Sequence, residues 1–316
     1  MKGNVNAPAL VFLGTGAAWR TPELGCSCGV CQRMRREGES RTRTALWFEG
    51  PSRLLVDCGP DVAWQMEANG LDRPEAVLIT HEHGDHFLGL DELEAFRRRE
   101  PAESFRPLPC YAHPEAWPAL EQRFGYLLGK LLERREARPG RPLEGLDGPE
   151  LTVVPFKTDH GPLPRGSVGY AIRYAAPEGR SKVLVYTSDF KDVPEPTADL
   201  CEPDVLVAQS HWFNEPDFNR PAHMSLQRLT GFIRAWRPRE HVYLVHLSDA
   251  DLLPGEEGRF MKKRPPLSPL IDPETRRPFP TPSCQREWQA AAEAVFKAHG
   301  IATPVTVARD GLRAPL

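Results

Sequence analysis

Residues 78–90 read LITHEHGDHFLGL, and positions 81–86 of that stretch hold three histidines and two acids. The run before it, PEAVLIT (74–80), is apolar and rich in strand formers. The run after it, DELEAFRRR (91–99), has the spacing of an amphipathic helix. A strand places alternate residues on one face, so His81 and His83 project together. The chain then turns, and Asp85 and His86 can face the same point from another side. Imidazoles and a carboxylate at this spacing suit Zn²⁺, Mn²⁺ or iron. A packed core has no use for so many polar groups in one place.

Further ligand-type residues recur at the ends of other apolar runs. His160 lies in KTDHGP (157–162), Asp189 in VLVYTSDF (183–190) and His246 in VYLVHLSD (242–249). Each alone reads equally well as a core or loop residue. Gathered onto one edge of a sheet, they would build a two-metal centre.

The rest of the chain sets those runs in an α/β pattern. Strands are expected in ALVFLG (9–14), LTVVPF (151–156), GYAIRY (169–174), KVLVYTSD (182–189), DVLVAQS (204–210) and HVYLVHL (241–247). RTRTALWFEGPSRLLVDCGPD (41–61) reads as two short strands joined by a Gly-Pro turn, followed by a short helix, VAWQMEANG (62–70). LPCYAHPEAWPALEQRFGYLLGKLLERREA (108–137) reads as a strand that continues as helix. SLQRLTGFIRAW (225–236) and REWQAAAEAVFKAHG (286–300) read as helices, and TPVTVARDGL (303–312) contains a short strand. Strands and helices interleave, with meander-like groups in each half. That pattern suits an α/β sandwich better than an all-parallel sheet. The chain is expected to form one domain over 1–316. Within it, the Pro-rich basic stretch 254–285 stands out as an insertion, either a lid or a surface linker.

Composition narrows the function classes. The chain has 316 residues, 40% of them hydrophobic, and a net charge of −3. The charge argues against a protein built to coat nucleic acid or an anionic membrane. No apolar run is long enough to span a bilayer, and the N-terminus lacks a secretory signal pattern. A cytoplasmic location is expected. Seven cysteines, an odd number in a long chain, do not suggest a disulfide framework. Three of them crowd into GCSCGVC (25–31), inside a loop at 25–32. Cys26, Cys28 and Cys31 could fill three corners of a zinc tetrahedron. Cys58, Cys110 and Cys201 read as buried or core residues.

Taken in order, FLGTGAA, CSCGVC, RTRTALW, LLVDCGPD, HEHGDH, DHGP, YTSDF, AHMSL and VHLSD resemble the metallo-β-lactamase superfamily. More narrowly, they resemble its phosphoribosyl cyclic phosphodiesterase (PhnP-like) branch. The resemblance covers most of residues 9–253 and leaves 254–285 outside. It implies a four-layer αβ/βα sandwich and a metal-dependent hydrolase with two divalent ions, Zn²⁺ or Mn²⁺. Carried over by motif, His81, His83 and His160 would hold one ion. Asp85, His86 and His246 would hold the other, and Asp189 would bridge them. His83, where a redox di-iron branch carries Glu, argues against that branch. His223 in AHMSL would sit beside the ions and could donate a proton to the leaving oxygen; a helix-capping histidine is the alternative. Asp85 and Asp189 could help orient the water.

The resemblance also implies one structural Zn²⁺ on the cysteine loop. The branch takes its fourth ligand from a His at the position of Asp249, so Asp249 is the first candidate here and Cys284 the second. The expected reaction is hydrolysis of a small, possibly cyclic, phosphodiester by hydroxide held between the two ions. Arg41 and Arg43 could meet the substrate phosphate or serve structure. His113, His211, His241 and His299 have no motif behind them and read as surface or packing residues.

Other readings remain open: an RNA-processing nuclease, a lactonase or thioesterase, or a non-catalytic accessory or carrier like that of the pyrroloquinoline quinone branch. A small phosphodiester is the expected partner. Nucleic acid is not favoured, no membrane is expected, and apolar helices after residue 110 could make a homodimer.

Overall fold

The computed structural model describes residues 7–219, 222–256 and 261–316; positions 257–260 of the insertion lie outside the described residues. In chain order the elements are β1 (Ala9–Gly14), α1 (Gly29–Glu37), β2 (Ala45–Glu49), β3 (Arg53–Val56), α2 (Val62–Ala68), β4 (Ala76–Leu78), α3 (Gly84–Phe87), α4 (Glu94–Arg98), β5 (Leu108–Ala112), α5 (Trp117–Phe124) and β6 (Leu132–Glu136). The second half holds β7 (Leu151–Lys157), β8 (Val168–Ala175), β9 (Ser181–Tyr186), β10 (Val205–Gln209), α6 (Leu226–Trp236), β11 (His241–Val245), α7 (Gln285–Ala298), β12 (Val305–Val307) and β13 (Leu312–Pro315).

One sheet runs β13-β1-β2-β3-β4-β5-β6 and the other β12-β11-β10-β9-β8-β7. Each joins an antiparallel meander to a parallel set: β3 to β6 are parallel in the first, β9 to β12 in the second. Period-2 alternation decides which residues face which layer. Leu10, Phe12, Leu46, Phe48, Leu54 and Val56 of the first sheet meet Val153, Tyr170, Ile172, Leu184, Tyr186 and Val207 of the second. The opposite face of the first sheet, through Val11, Leu13, Trp47 and Leu55, packs on α2, α4 and α5. Leu206, Ala208, Val242 and Leu244 of the second sheet pack on α6 and α7. Helix, sheet, sheet and helix therefore stack as the expected four-layer αβ/βα sandwich. Each fully buried aliphatic or aromatic side chain in these layers contributes roughly 1.5–3 kcal/mol of transfer free energy.

Residues 108–137 depart from the reading above. The helix stops at Phe124, and LERRE forms β6, parallel to β5. Strand β13, not anticipated, closes the sheet beside β1. Cys201 is exposed in a turn after a short 3₁₀ segment rather than in the core, whereas Cys58 and Cys110 are buried.

The insertion packs as irregular chain on the body. Leu270 N donates to Asn214 Oδ1 at 2.8 Å, and Arg264 N to the Ala250 carbonyl at 3.0 Å. The Lys263 ammonium is buried and donates to the Asp251 carbonyl at 2.7 Å. Among the described residues, no helix is long and apolar enough to cross a membrane.

Candidate metal centre

The candidate ligands stand just past the C-terminal ends of strands on one edge of the sandwich. β4 leads to His81 and His83, β7 to His160, β9 to Asp189 and β11 to His246. Three non-glycine residues at such ends have left-handed backbone: Asp57 (φ 62), Ser188 (φ 56) and His246 (φ 58). Such turns cost of order 1–3 kcal/mol each and persist where the surroundings over-determine them. Here they turn the chain so that side chains from separate strands point to one place.

A brace holds the motif loop. Cys58 N donates to the His86 carbonyl at 2.7 Å, and Gly89 N to the Cys58 carbonyl at 2.8 Å. The fit leaves no room for a side chain: a Cβ on Gly59 would lie 2.1 Å from the Asp85 carbonyl oxygen.

Two donor sets result. His81 Nε2 lies 3.0 Å from His83 Nδ1, and His160 Nε2 lies 3.1 Å from the same atom. His86 Nε2 lies 3.1 Å from Asp85 Oδ2, and His246 Nε2 lies 3.1 Å from Asp189 Oδ1. Asp189 Oδ2 is 3.6 Å from both His160 Nε2 and His86 Nε2, so this carboxylate faces both sets. Two ligands of one tetrahedral ion, with bonds of about 2.0–2.1 Å, sit roughly 3.4 Å apart, which matches these spacings. The buried atoms His86 Nε2, His246 Nε2 and Asp189 Oδ1 have no hydrogen-bond partner. Donors converged at this range, with orphaned polar atoms among them, are what a metal-binding site requires.

Charge follows the same geometry. Burial pushes the Asp189 and Asp85 carboxyls up, but the neighbouring imidazoles, His246 and His86 foremost, outweigh it and hold both well below the usual range. Burial pulls His86 down, yet Asp85, Asp57 and Asp189 raise it well above its ordinary value. Burial, with His86 and His160 nearby, pushes His81 well below.

Around the donors lies a ring of residues that the sequence reading passed over. Asp57 accepts from Thr80 N and Oγ1, both at 2.9 Å, and its Oδ2 lies 2.7 Å from His86 Nδ1. His211 stacks on His223, ring centroids 4.2 Å apart, and lies within ligand range of His223 and His246. Of the surface and packing roles expected, it takes the packing one, inside the candidate site. Burial and the nearby His246 push its ring down to about 3. Gln209, fully buried, touches both His223 and His246. The position of Asp57 at a strand end in LLVDCGPD is a signal that could have marked it; nothing local marks Gln209.

The cysteine loop forms a separate cluster. Cys26, Cys28, Cys31 and Asp249 come within ligand range of one another, with Cys31 Sγ 2.8 Å and Cys28 Sγ 3.4 Å from Asp249 Oδ2. A hydrogen bond from Cys31 lowers the Cys28 thiol to about 6, and the same bond pushes Cys31 up. Lys262, from the insertion, pairs with Asp249 and lies 2.9 Å from Glu23 Oε2. Cys284 does not join this group. It caps α7, beside Val30 and Met34.

Arg41 is buried and donates to Thr15 Oγ1 and the Ala308 carbonyl, both at 2.7 Å, which makes it structural. Arg43 reaches the pocket wall but is held by Asp61 at 3.0 Å. The pocket over the donors has a volume of about 620 Å³. Trp19, Leu88, Trp212 and Met261 give it apolar walls, and His83, Asp85 and His223 line it near the donor sets.

Residues 52–247 match the family described as the beta-lactamase superfamily domain. The chain belongs to the beta-lactamase superfamily. Its metallo-beta-lactamase fold is shared with a diphosphatase of the PhnP family (TM-score 0.68, 20% identity, covering 98% of both chains). It is shared equally with Zn²⁺-bound PqqB from Methylobacterium extorquens (TM-score 0.68, 19% identity, 98% of this chain and 100% of that one). In sequence, the chain is 34% identical over 192 residues to an octanoyltransferase of Porphyromonas gingivalis, a match over 58% of this chain. It spans only 35% of that protein's length. Superfamily members are metal-dependent hydrolases, and the donor sets described above are the metal-binding candidates of this one.

Proposed function

We propose that this protein is a phosphodiesterase that hydrolyses a small phosphodiester. His81, His83 and His160 would hold one divalent ion, Asp85, His86 and His246 a second, and Asp189 would face both. The carrying observation is the pair of donor sets sharing Asp189 near the base of a pocket that His223 also lines. Zn²⁺ or Mn²⁺ bound there would supply Lewis acidity, lowering the pKa of water from about 15.7 toward about 7 and drawing charge from phosphoryl oxygen.

The chain's own residues do the positioning. Asp57, the Thr80 hydroxyl and the Ala222 carbonyl fix the rings of His86, His81 and His160 from behind. His223 Nδ1 lies 2.8 Å from Gln209 Nε2, which donates to it and leaves the ring proton on Nε2. From that atom His223 offers a hydrogen to the leaving oxygen, a contribution of roughly 10²–10⁴-fold. The insertion adds Arg264, which lines the pocket and whose positive charge suits an anionic substrate. A cavity of about 620 Å³ suits a small molecule. Cys26, Cys28, Cys31 and Asp249 would hold one structural Zn²⁺. The unpaired cysteines suit a reducing compartment, and we place the protein in the cytoplasm.

The apolar walls favour one second reading, an ester or thioester hydrolase on the same donors. The test is hydrolysis of bis(p-nitrophenyl) phosphate by chelator-stripped protein refilled with Mn²⁺ or Zn²⁺, beside Asp189→Ala. Metal-dependent turnover lost in the variant is expected. Metal-loaded protein that leaves the phosphodiester intact and cleaves an acyl thioester would replace this reading with the second.

A further inference from the structure

A histidine that binds a metal through one ring nitrogen keeps a proton on the other, and that N–H needs an acceptor. Three of the candidate ligands have one. His86 Nδ1 faces Asp57 Oδ2 at 2.7 Å, and His160 Nδ1 faces the Ala222 carbonyl at 3.1 Å. His81 Nδ1 faces Thr80 Oγ1 at 3.0 Å, and that hydroxyl donates its own proton to Asp57.

His246 differs. Its Nδ1 lies 3.1 Å from Gln209 Nε2. The orientation of that amide is fixed by its oxygen, which accepts from Phe190 N at 3.0 Å and Met224 N at 3.1 Å. The nitrogen end must therefore face His246 and His223. An amide nitrogen donates two hydrogens and accepts none. In this network His246 Nδ1 accepts from Gln209, and the ring proton sits on Nε2. That is the atom facing Asp189 Oδ1 at 3.1 Å and Asp85 Oδ2 at 3.7 Å.

We infer that Gln209 makes the Asp85–His86–Asp189–His246 set the weaker of two metal sites. An ion taking His246 Nε2 displaces its proton. Moved to Nδ1, the proton meets an amide N–H. Turning the amide over instead strands the backbone N–H groups of Phe190 and Met224. The His81–His83–His160 set carries no such conflict and fills first. The inference rests on the metal-binding part of the proposed function and is independent of the substrate. A failed phosphodiesterase assay would leave it standing.

The experiment is a calorimetric titration of the chelator-stripped full chain with Mn²⁺, chosen because the cysteine cluster disfavours it. The wild-type protein should bind one equivalent at least about 10-fold more tightly than the next. The tight equivalent should survive His246→Ala and vanish in His81→Ala. Gln209→Glu leaves one oxygen on Phe190 and Met224 and turns the other, an acceptor, toward His246. It should tighten the second equivalent by about 10–100-fold and leave the first unchanged. Two equal equivalents in the wild type would overturn the inference, as would a tight equivalent lost in His246→Ala. A folded Gln209→Glu protein with an unchanged second affinity would overturn it too. If Gln209→Glu fails to fold, the wild-type and alanine titrations decide alone.

Discussion

Replacing Asp57 with Asn exchanges one buried carboxylate oxygen for an amide nitrogen of the same size. Oδ1 accepts from the Thr80 backbone at 2.9 Å, and Oδ2 faces His86 Nδ1 at 2.7 Å and Tyr186 Oη at 3.4 Å. The asparagine oxygen will keep the backbone donor. Its NH₂ then meets His86 Nδ1–H, donor against donor. The loss is one hydrogen bond to a charged group, about 1.5–3 kcal/mol. At about 1.4 kcal/mol per tenfold, that corresponds to roughly 10–100-fold in metal affinity. The Asp85–His86 set should lose the whole amount. The His81 set, which reaches Asp57 only through the Thr80 hydroxyl, should lose less. Calorimetric metal titration measures both sites, and thermal unfolding of the chelated protein should show a melting point several degrees lower. If Asp57→Asn binds both ions as the wild type does, Asp57 does not orient His86, and the account of the ring behind the donors is wrong.

If the cysteine cluster holds the proposed zinc, Cys28→Ser should abolish its binding and cost about 2–4 kcal/mol in zinc-containing buffer. The active-site donors should remain intact; metal analysis and melting curves check this, and unchanged zinc content with unchanged stability would contradict it. Asp310 gives a prediction in pH. Burial pushes its carboxyl up, against hydrogen bonds from Thr42 and Thr15. Its folded value lies above the unfolded one of about 3.9, so the folded state holds the proton more tightly. Its contribution to stability is then greatest below about pH 3.9 and falls as pH rises through the folded value. The stability of wild type minus that of Asp310→Asn, followed by urea unfolding from about pH 3 upward, should decline over that window; a flat difference refutes it.

What the sequence revealed and what it hid have separate physical causes. The candidate donors are legible because each follows an apolar strand, and strand ends on one edge bring distant residues together. Asp57 acts on His86 across 29 positions of chain, and Gln209 on His246 across 37, so no local pattern carries either role. The sequence does not place His211 at the site because its neighbours His223 and His246 meet it only in the fold. LLGKLLERREA is rich in helix formers, yet tertiary pairing with β5 draws LERRE into a strand. Cys284 was a chemically reasonable zinc ligand, but its place at the start of α7 sets it against α1 instead.

Strand β6 is the outer edge of its sheet, and an edge of bare backbone donors and acceptors is a template for another chain. Here that edge is written LERRE. Arg135 reaches Glu133 at 2.7 Å and Glu144 at 2.8 Å, and Arg134 pairs with Glu121. A foreign strand laid along it would have to strip water from charges of both signs. The same five residues that mimic a helix in sequence thus act as a gatekeeper against fibre growth. Swapping Arg134 and Glu136 for valine would turn the margin of the sheet into a seed for aggregation, two strands away from β4 and the donors that follow it.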